Sequence, residues 1–268
     1  MNAFSPVTIL SKQSDFVIGT PVLLEGIKKD CAAVQKWNED YFISHYGETV
    51  IRADRYSSDQ NIPYFLQSYI NSNKVAFKEV FNRDLSLSLM ENIDFLKANP
   101  ELLNDIDFFK PLGKKENLDA FCSFWYAPSG KIVDLHTDDA DLFLLQVSGE
   151  KVVRLIPPSQ TDFIYQQDKT VLLKLCFGLG LNQEELEEAA NELTNSQFSH
   201  VSCFNPDFKK YPLYQHVSGL EANLSPGDVL YIPKGWWHAT KAKESSFGLN
   251  TVVITPNISW KDIFTHHG

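Results

Sequence analysis

The chain lacks several features that mark secreted and membrane-spanning proteins. Its four cysteines, Cys31, Cys122, Cys176 and Cys203, lie far apart and form no Cys-x-x-Cys pair, which argues against a zinc ribbon or a disulfide framework. No run approaches the roughly 20 apolar residues of a membrane span, and the N-terminus shows no basic segment followed by a continuous apolar one, as a secretory signal would. We therefore expect a cytoplasmic protein with reduced thiols and no membrane association.

Basic residues are also in short supply. The 268-residue chain has 24 Lys and Arg against 34 Asp and Glu, which gives a formal net charge of -10. Because nucleic-acid binding usually needs a basic face that neutralises phosphates, a nucleic-acid partner is not expected. The hydrophobic fraction of 43% and the aromatic fraction of 13% are typical of a packed protein rather than a disordered one. No repeat, linker or low-complexity tract divides the sequence, so we treat residues 1–268 as a single domain.

The spacing of apolar residues along the sequence changes near residue 119. In about residues 1–118, apolar residues recur at spacings of three and four, as at Val34, Trp37 and Tyr41, and predict mainly helices. In about residues 119–260, short runs of β-branched and aromatic residues separated by Gly, Pro and Ser predict strands. These runs are Phe121–Tyr126, Lys131–His136, Leu142–Val147, Val152–Ile156, Val229–Ile232 and Gly248–Ile254. They indicate a mainly β fold with helical additions around a double-stranded β-helix, or jelly-roll, core.

A segment with helical periodicity interrupts the predicted strands at about residues 170–200. Leu186 and Leu193 fall on one face of this segment, and Asn182 with Glu185 has the spacing of a helix capping pair. The segment is therefore predicted to be a helical insertion between two barrel strands.

Two side chains suited to binding a metal lie two residues apart at the end of a predicted strand. In Leu135-His136-Thr137-Asp138, the alternation of an extended chain points His136 and Asp138 to the same side. About 100 residues later, a turn and a strand in the run from Pro226 deliver His238. If the barrel brings the two segments together, two imidazoles and one carboxylate occupy one face of a metal ion, as in the facial triad of non-haem Fe(II) oxygenases.

Each ligand candidate also has an ordinary structural explanation. His136 could be a hydrogen-bonded strand histidine, and His238 could be a residue packed by its neighbours Trp236 and Trp237. The metal-site interpretation therefore depends on all three residues converging. Three protein ligands would leave coordination positions for exogenous molecules, whereas a closed four-ligand zinc site would leave none.

Several stretches of the chain together resemble a known family. They are His136–Pro158, Asn205–Phe208 and Pro226–His238, with Pro21–Leu24, Trp37, Tyr41 and Tyr46-Gly47 nearer the N-terminus. The combination resembles the JmjC-type "cupin 8" oxygenases and, within them, the factor-inhibiting-HIF asparaginyl hydroxylases. The resemblance implies a JmjC-like cupin domain in which His136, Asp138 and His238 hold Fe(II), with 2-oxoglutarate as cosubstrate and O2 as oxidant.

The resemblance also implies two cosubstrate-binding residues. Lys151 would pair with the distal carboxylate of 2-oxoglutarate, and a lysine that alternates with Val153 and Leu155 is expected to face inward. The alternative for Lys151 is a charged residue that protects an edge strand. Asn250 corresponds to a small polar residue that the family places near cosubstrate and metal, although a contact with the backbone would satisfy it equally well.

The sequence departs from the asparaginyl hydroxylases at two positions. Thr137 replaces a tyrosine, and Val133 replaces a threonine that contacts the cosubstrate there. The substrate could therefore be either a protein or peptide side chain or an amino-acid-like small molecule. The acidic net charge disfavours tRNA, which is the substrate of one branch of the family. Hydroxylation is the expected reaction, and a homodimer is implied by the resemblance.

Two other classes of function compete with the oxygenase. One is a non-catalytic cupin that binds a metal or ligand as a sensor or interaction module. The other is a zinc or manganese cupin isomerase or hydrolase, which the His-x-Asp pattern disfavours because such cupins commonly carry His-x-His. Asp139 and Asp141, beside the candidate ligands, could recognise a cationic or amide substrate or simply cap the turn.

Overall fold

Two β-sheets make up most of the described chain. The computed structural model describes residues 3–10, 19–55, 66, 72–106 and 122–253. The strands are β1 Ala3–Pro6, β2 Thr8–Leu10, β3 Val22–Leu24, β4 Val50–Arg55, β5 Ser72–Ala76, β6 Leu87–Asn92, β7 Cys122–Ala127, β8 Ile132–Asp138, β9 Asp141–Ser148, β10 Lys151–Ile156, β11 Ser196–Phe198, β12 Ser218–Leu224, β13 Val229–Ile232, β14 Trp237–Ala242 and β15 Ser246–Val253.

The connections between the sheets are those of a jelly roll. One sheet has six strands in the order β1-β12-β10-β14-β8-β11, and the other has nine in the order β2-β3-β13-β9-β15-β7-β6-β4-β5. From β8 to β10 the chain passes from the first sheet to the second and back, and from β12 to β15 it again alternates between them. The predicted mainly β fold with a double-stranded β-helix core is therefore confirmed.

An apolar core lies between the two sheets. It joins Leu142, Leu144, Leu230 and Ile232 from the nine-stranded sheet to Val153, Leu155, Ala222 and Leu224 from the six-stranded sheet. On β10, Lys151, Val153 and Leu155 are buried while Val152 and Arg154 are partly exposed, so the strand alternates as a half-buried strand should. The predicted inward orientation of Lys151 is confirmed, since its side chain is only 6% exposed.

Within the described ranges, the helices are short outside the insertion. They are α1 Ala32–Lys36, α2 Glu39–Tyr46, α3 Phe77–Val80, α4 Ile93–Ala98, α5 Lys169–Gly178 and α6 Gln183–Asn195, with 3₁₀ turns at Arg83–Leu85, Pro100–Asn104, Pro158–Phe163 and Pro212–His216. Aromatic residues in or next to the N-terminal helices, including Trp37, Phe42 and Phe77, pack against Phe124 and Phe247 of the nine-stranded sheet. Among the described residues, no helix combines the length and hydropathy needed to cross a membrane.

The prediction of a mainly helical N-terminal part does not hold in the described residues. That part contributes strands β1 to β6 as well as α1 to α4, and most of these strands extend the two sheets at their edges. β6, for example, pairs with β4 and with β7 in the nine-stranded sheet. These segments become strands because they pair with the edge of an existing sheet. In short segments such tertiary context overrides local propensity.

Two helices, α5 and α6, occupy the segment that was predicted to be a helical insertion. The capping pair is present: Glu185 N–H donates to Asn182 Oδ1 at 3.0 Å, and Asn182 N–H donates to Glu185 Oε2 at 2.9 Å. Leu172, Cys176 and Leu193 pack with Val133 of β8 and Phe198 of β11. The insertion thus packs against β8 and β11, at one end of the six-stranded sheet.

Candidate metal centre

Strand β8 presents His136 and Asp138 at its C-terminal end. The pairing of β8 with the neighbouring β14 joins His136 to His238 and then Val133 to Thr240, so β8 uses three residues where β14 uses two. Such a β-bulge changes the direction in which the following side chains point. His136 is 5% exposed, and the Asp138 side chain is 25% exposed.

Strand β14 brings His238 directly opposite His136. The two imidazole centroids lie 4.1 Å apart, and His238 Nε2 lies 3.4 Å from Asp138 Oδ2. One potential ligand atom from each of His136, Asp138 and His238 lies within 4.8 Å of the other two. The structure therefore brings together the three residues that the sequence analysis selected, and their spacing could hold one metal ion. His238 is the second residue of β14, whereas the sequence analysis placed it after a strand.

Hydrogen bonds fix the orientation of both imidazoles. His136 Nδ1 lies 2.7 Å from the carbonyl oxygen of Asp134, and His238 Nδ1 lies 3.0 Å from that of Trp236. A carbonyl oxygen only accepts, so each Nδ1 carries the proton that it donates. In the neutral ring the lone pair is then on Nε2, the nitrogen of His238 that faces Asp138. A hydrogen bond from Nδ1 to a backbone carbonyl is the usual way in which a protein orients a histidine that binds metal through Nε2.

Electrostatics favour neutral imidazole and ionised carboxylate in this group. Burial and the neighbouring His238 lower the pKa of His136 to about 4. Burial alone would raise the pKa of Asp138, but its contacts with His238, His136 and Ser196 lower it. Near neutral pH, His136 offers a lone pair and Asp138 a negative charge, which are the protonation states that metal ligands need.

The loop that precedes β14 is attached to the turn between β8 and β9. Gly235 N–H donates to Asp138 O at 3.0 Å, and Lys234 N–H donates to Asp141 Oδ1 at 2.8 Å. The Lys234 ammonium also forms an ion pair with Asp139 at 2.6 Å. Asp141 therefore caps a backbone amide, and both aspartates help to hold the two ligand-bearing segments together.

Lys151 lies inside the barrel with little to compensate its charge. Burial lowers the pKa of Lys151 from 10.5 to about 8, and no carboxylate within the described ranges opposes that shift. Gly248 lies next to two polar atoms: a Cβ atom at this position would be 3.4 Å from Lys151 Nζ and 3.9 Å from Gln146 Oε1. Gln146 Oε1 is itself buried without a hydrogen-bond partner in the described structure, while its Nε2 donates to two backbone carbonyls. These polar atoms fit a ligand that brings negative charge and hydrogen-bonding capacity.

Sequence reasoning missed a second buried lysine and did not settle the role of Asn250. Lys131 is 5% exposed, and burial lowers its pKa to about 8 although Asp54 and Asp134 oppose the shift. Because these carboxylates compensate Lys131, it is less suited than Lys151 to bind an anion. Asn250 lies on β15, paired with Ser123 and Leu144, but its side chain lies outside the described part of the structure.

Two further residues next to the ligands also escaped the sequence analysis. Ser196 Oγ lies 3.2 Å from Asp138 Oδ1 and 3.0 Å from Glu192 Oε1. No motif signals this contact, because it arises only when the three-residue strand β11 pairs with β8 and places Ser196 opposite Asp138.

Comparison with known proteins adds family information to this geometry. The profile of the family described as Cupin-like domain matches residues 16–266. Lysine-specific demethylase 8 of Xenopus tropicalis is 25% identical over 235 residues, which cover 86% of this chain and 47% of that protein. JmjC domain-containing protein D of Dictyostelium discoideum is 22% identical over 265 residues, with 91% and 54% covered. The bifunctional peptidase and (3S)-lysyl hydroxylase JMJD7 of Homo sapiens is 23% identical over 267 residues, with 91% and 81% covered.

The extent of these matches decides what they show. The chain spans about half the length of the first two relatives, so similarity to them concerns the shared region. The narrower resemblance to the asparaginyl hydroxylases stays a prediction. The family profile, by contrast, covers nearly the whole sequence, and the chain therefore belongs to the Cupin-like domain family.

Proposed function

We propose that this protein is an Fe(II)- and 2-oxoglutarate-dependent oxygenase. It would use O2 to hydroxylate a protein or peptide side chain, or an amino-acid-like small molecule, and release succinate and CO2. The observation that carries the proposal is the grouping of His136, Asp138 and His238, whose ligand atoms lie within 4.8 Å of one another. The names of the relatives, which include demethylases and a lysyl hydroxylase, agree with oxidative chemistry in this family.

The ligand set suits Fe(II). Two imidazoles that carry the proton on Nδ1 and one ionised carboxylate supply two neutral nitrogen ligands and one anionic oxygen ligand. The group contains no thiolate, so it differs from the Cys-rich sites of structural zinc. Within the described residues no fourth His, Cys, Asp or Glu joins the group. A site with three protein ligands leaves positions for a chelating cosubstrate and O2, as in non-haem iron oxygenases.

The interior of the barrel suits a dicarboxylate. A buried lysine whose charge is opposed only by desolvation gains most from an anion that arrives with its own negative charge. Lys151 Nζ can donate charge-assisted hydrogen bonds to the distal carboxylate of 2-oxoglutarate. Asn250 is retained in the proposal as a second cosubstrate contact.

Each part of the chain then has a defined task. When bound, iron and 2-oxoglutarate supply the oxidation: O2 is consumed, 2-oxoglutarate loses CO2 to become succinate, and one oxygen atom enters a C–H bond of the substrate. His136, Asp138 and His238 hold the metal on one face, and Lys151 orients the cosubstrate. The apolar side chains between the sheets, among them Val153 and Leu155, exclude water from the reaction.

The substrate class follows only in outline. The net charge of -10 favours a neutral or basic substrate over nucleic acid. Hydroxylation is proposed because no feature of the chain demands the N-methyl substrate of a demethylation. The cytoplasmic location and the homodimer stay predictions.

Anaerobic addition of Fe(II) and 2-oxoglutarate should produce a weak visible charge-transfer band. The band reports cosubstrate bound to the iron itself, so it should require both components and should saturate at one iron per chain. Absorption titration under nitrogen measures it, and succinate formation after air is admitted completes the test. A chain that binds both components without a band or succinate would instead be the non-catalytic binding module.

Binding of 2-oxoglutarate should weaken as the pH rises above about 8. Because burial lowers the pKa of Lys151 to about 8, the ligand-free protein loses the ammonium proton above that pH. The dicarboxylate needs the charged form, so its Kd should rise by about tenfold per pH unit in that range. Calorimetry on the Mn(II)-loaded protein measures the effect. Lys151→Met should bind weakly with no such slope, and an equally flat wild-type curve would contradict the assignment of Lys151.

A further inference from the structure

The helical insertion reaches the candidate metal centre through one serine. Helix α6 ends at Asn195, and the next residue, Ser196, is paired with Asp138 across the sheet. Its hydroxyl oxygen lies 3.2 Å from Asp138 Oδ1 and 3.0 Å from Oε1 of Glu192, in the last turn of α6. Ser196 therefore lies between the carboxyl group of a proposed metal ligand and a carboxyl group of the insertion.

The position of Ser196 is fixed from several directions. Ser196 is 3% exposed, and its backbone N–H donates to the carbonyl oxygen of Glu192 at the end of α6. Two residues further, Phe198 pairs with His136, and the two rings stack with centroids 6.4 Å apart. The short strand β11 thus supports both ligands of β8, and the hydroxyl of Ser196 has little freedom to find other partners.

The number of available protons restricts the hydrogen bonds in this arrangement. A serine hydroxyl has one proton and can accept with its lone pairs. If the proton of Ser196 goes to Asp138 Oδ1, the short contact with Glu192 is a hydrogen bond only when the Glu192 carboxyl supplies a proton. The opposite arrangement would place a lone pair of Ser196 against the anionic Oδ1. Burial raises the pKa of the Glu192 carboxyl, in agreement with a proton on that group.

We propose that Glu192 and Ser196 form a positioning chain, in which the Glu192 carboxyl donates to Ser196 and Ser196 donates to Oδ1 of Asp138. Oδ2, the oxygen that lies 3.4 Å from His238 Nε2, is then presented to the metal ion. The inference rests on the proposed function, because it assumes that Asp138 is a metal ligand. Glu192 and Ser196 contact neither metal nor substrate in this scheme. They act by holding the carboxylate in the orientation that binds.

The test is the Co(II) affinity of the full chain, measured by calorimetry without cosubstrate. Ser196→Ala and Glu192→Leu should each weaken Co(II) binding by about 10- to 100-fold, the usual effect of losing a partner behind a metal ligand. Glu192→Gln should stay within about threefold of the wild type, because the amide N–H can donate to Ser196 as the protonated carboxyl does. The double variant Ser196→Ala/Glu192→Leu should bind no more weakly than the weaker single variant, since both changes break one chain.

Controls separate this inference from folding and from the proposed function. Glu184→Leu, on the exposed first turn of the same helix, should keep wild-type Co(II) affinity, and melting curves of the metal-free variants report folding. If Ser196→Ala fails to fold, the difference in Co(II) affinity between Glu192→Gln and Glu192→Leu tests the positioning chain instead. Wild-type affinity in Ser196→Ala, or equal losses in Glu192→Gln and Glu192→Leu, would overturn the positioning chain alone. A wild-type protein that bound no Co(II) would overturn the metal centre itself.

Discussion

Asp138→Ala should reduce iron-dependent succinate formation by about 1000-fold or more, beyond the 10- to 100-fold typical of residues behind a metal ligand. Asp138 is the only carboxylate in the ligand group of the described residues. Its removal leaves two neutral imidazoles, which bind a divalent ion more weakly and supply no negative charge. We expect the loss in turnover to be accompanied by a loss of Fe(II) affinity, measured separately by calorimetry under nitrogen.

The controls for Asp138→Ala distinguish lost chemistry from lost structure. Asp162→Ala changes an exposed aspartate on a 3₁₀ turn and should leave succinate formation unchanged. Metal should raise the melting temperature of the wild type and of Asp162→Ala but not that of Asp138→Ala, because only a bound ligand stabilises the native state. Wild-type turnover in a folded Asp138→Ala protein would remove the basis of the proposed function.

Lys151→Met should have opposite effects on cosubstrate binding and on stability. Loss of a charge-assisted hydrogen bond to a buried carboxylate costs about 2 to 4 kcal/mol, or about 30- to 1000-fold in Kd for 2-oxoglutarate. In the ligand-free protein, however, burial disfavours the ammonium and lowers the pKa of Lys151 from 10.5 to about 8. The unfolded chain then binds this proton more tightly than the folded chain. At pH 7 the charge favours unfolding, so its removal should raise the free energy of unfolding by about 1 to 3 kcal/mol.

Lys131→Met is the matched control, since Lys131 is buried to a similar degree (5% against 6% exposed). Asp54 and Asp134 already attract the charge of Lys131, so this charge is less suited to bind a cosubstrate carboxylate. We expect Lys131→Met to bind 2-oxoglutarate nearly as the wild type does. Calorimetry measures the Kd of each variant, and denaturant unfolding measures its free energy of unfolding. If both lysine variants lost the same cosubstrate affinity, the assignment of Lys151 would be wrong.

The strands of the barrel could be predicted because their residues alternate or form short apolar runs between turns. β7, β8, β9, β10, β13 and β15 begin and end within two residues of the predicted runs. The sequence analysis missed β11, β12 and β14, and it did not recognise most of the strands that the N-terminal part adds to the sheets. β12, for example, contains Gly219 and Asn223 in a partly exposed run, so its pairing with β10 supplies the structure that its own residues do not signal.

The candidate site likewise contains residues that the sequence could predict and residues that it could not. His136, Asp138 and His238 could be selected because ligand residue types, strand alternation and the family resemblance all point to them. The roles of Ser196, Glu192 and Gln146 could not be predicted, because each depends on which strands lie side by side. Ser196 acquires its contact from the pairing of β11 with β8, and Gln146 converges with Lys151 on Gly248. The motif thus identifies the candidate ligands, while the three-dimensional pairing identifies the residues that we propose support them.

The most direct test of the central claim is anomalous diffraction from crystals soaked with Fe(II) and 2-oxoglutarate under nitrogen. We expect one iron peak per chain, bound by Nε2 of His136, Nε2 of His238 and Oδ2 of Asp138, with the cosubstrate on the iron and its distal carboxylate on Lys151. Iron bound elsewhere, or a fourth protein ligand in place of the cosubstrate, would contradict the account.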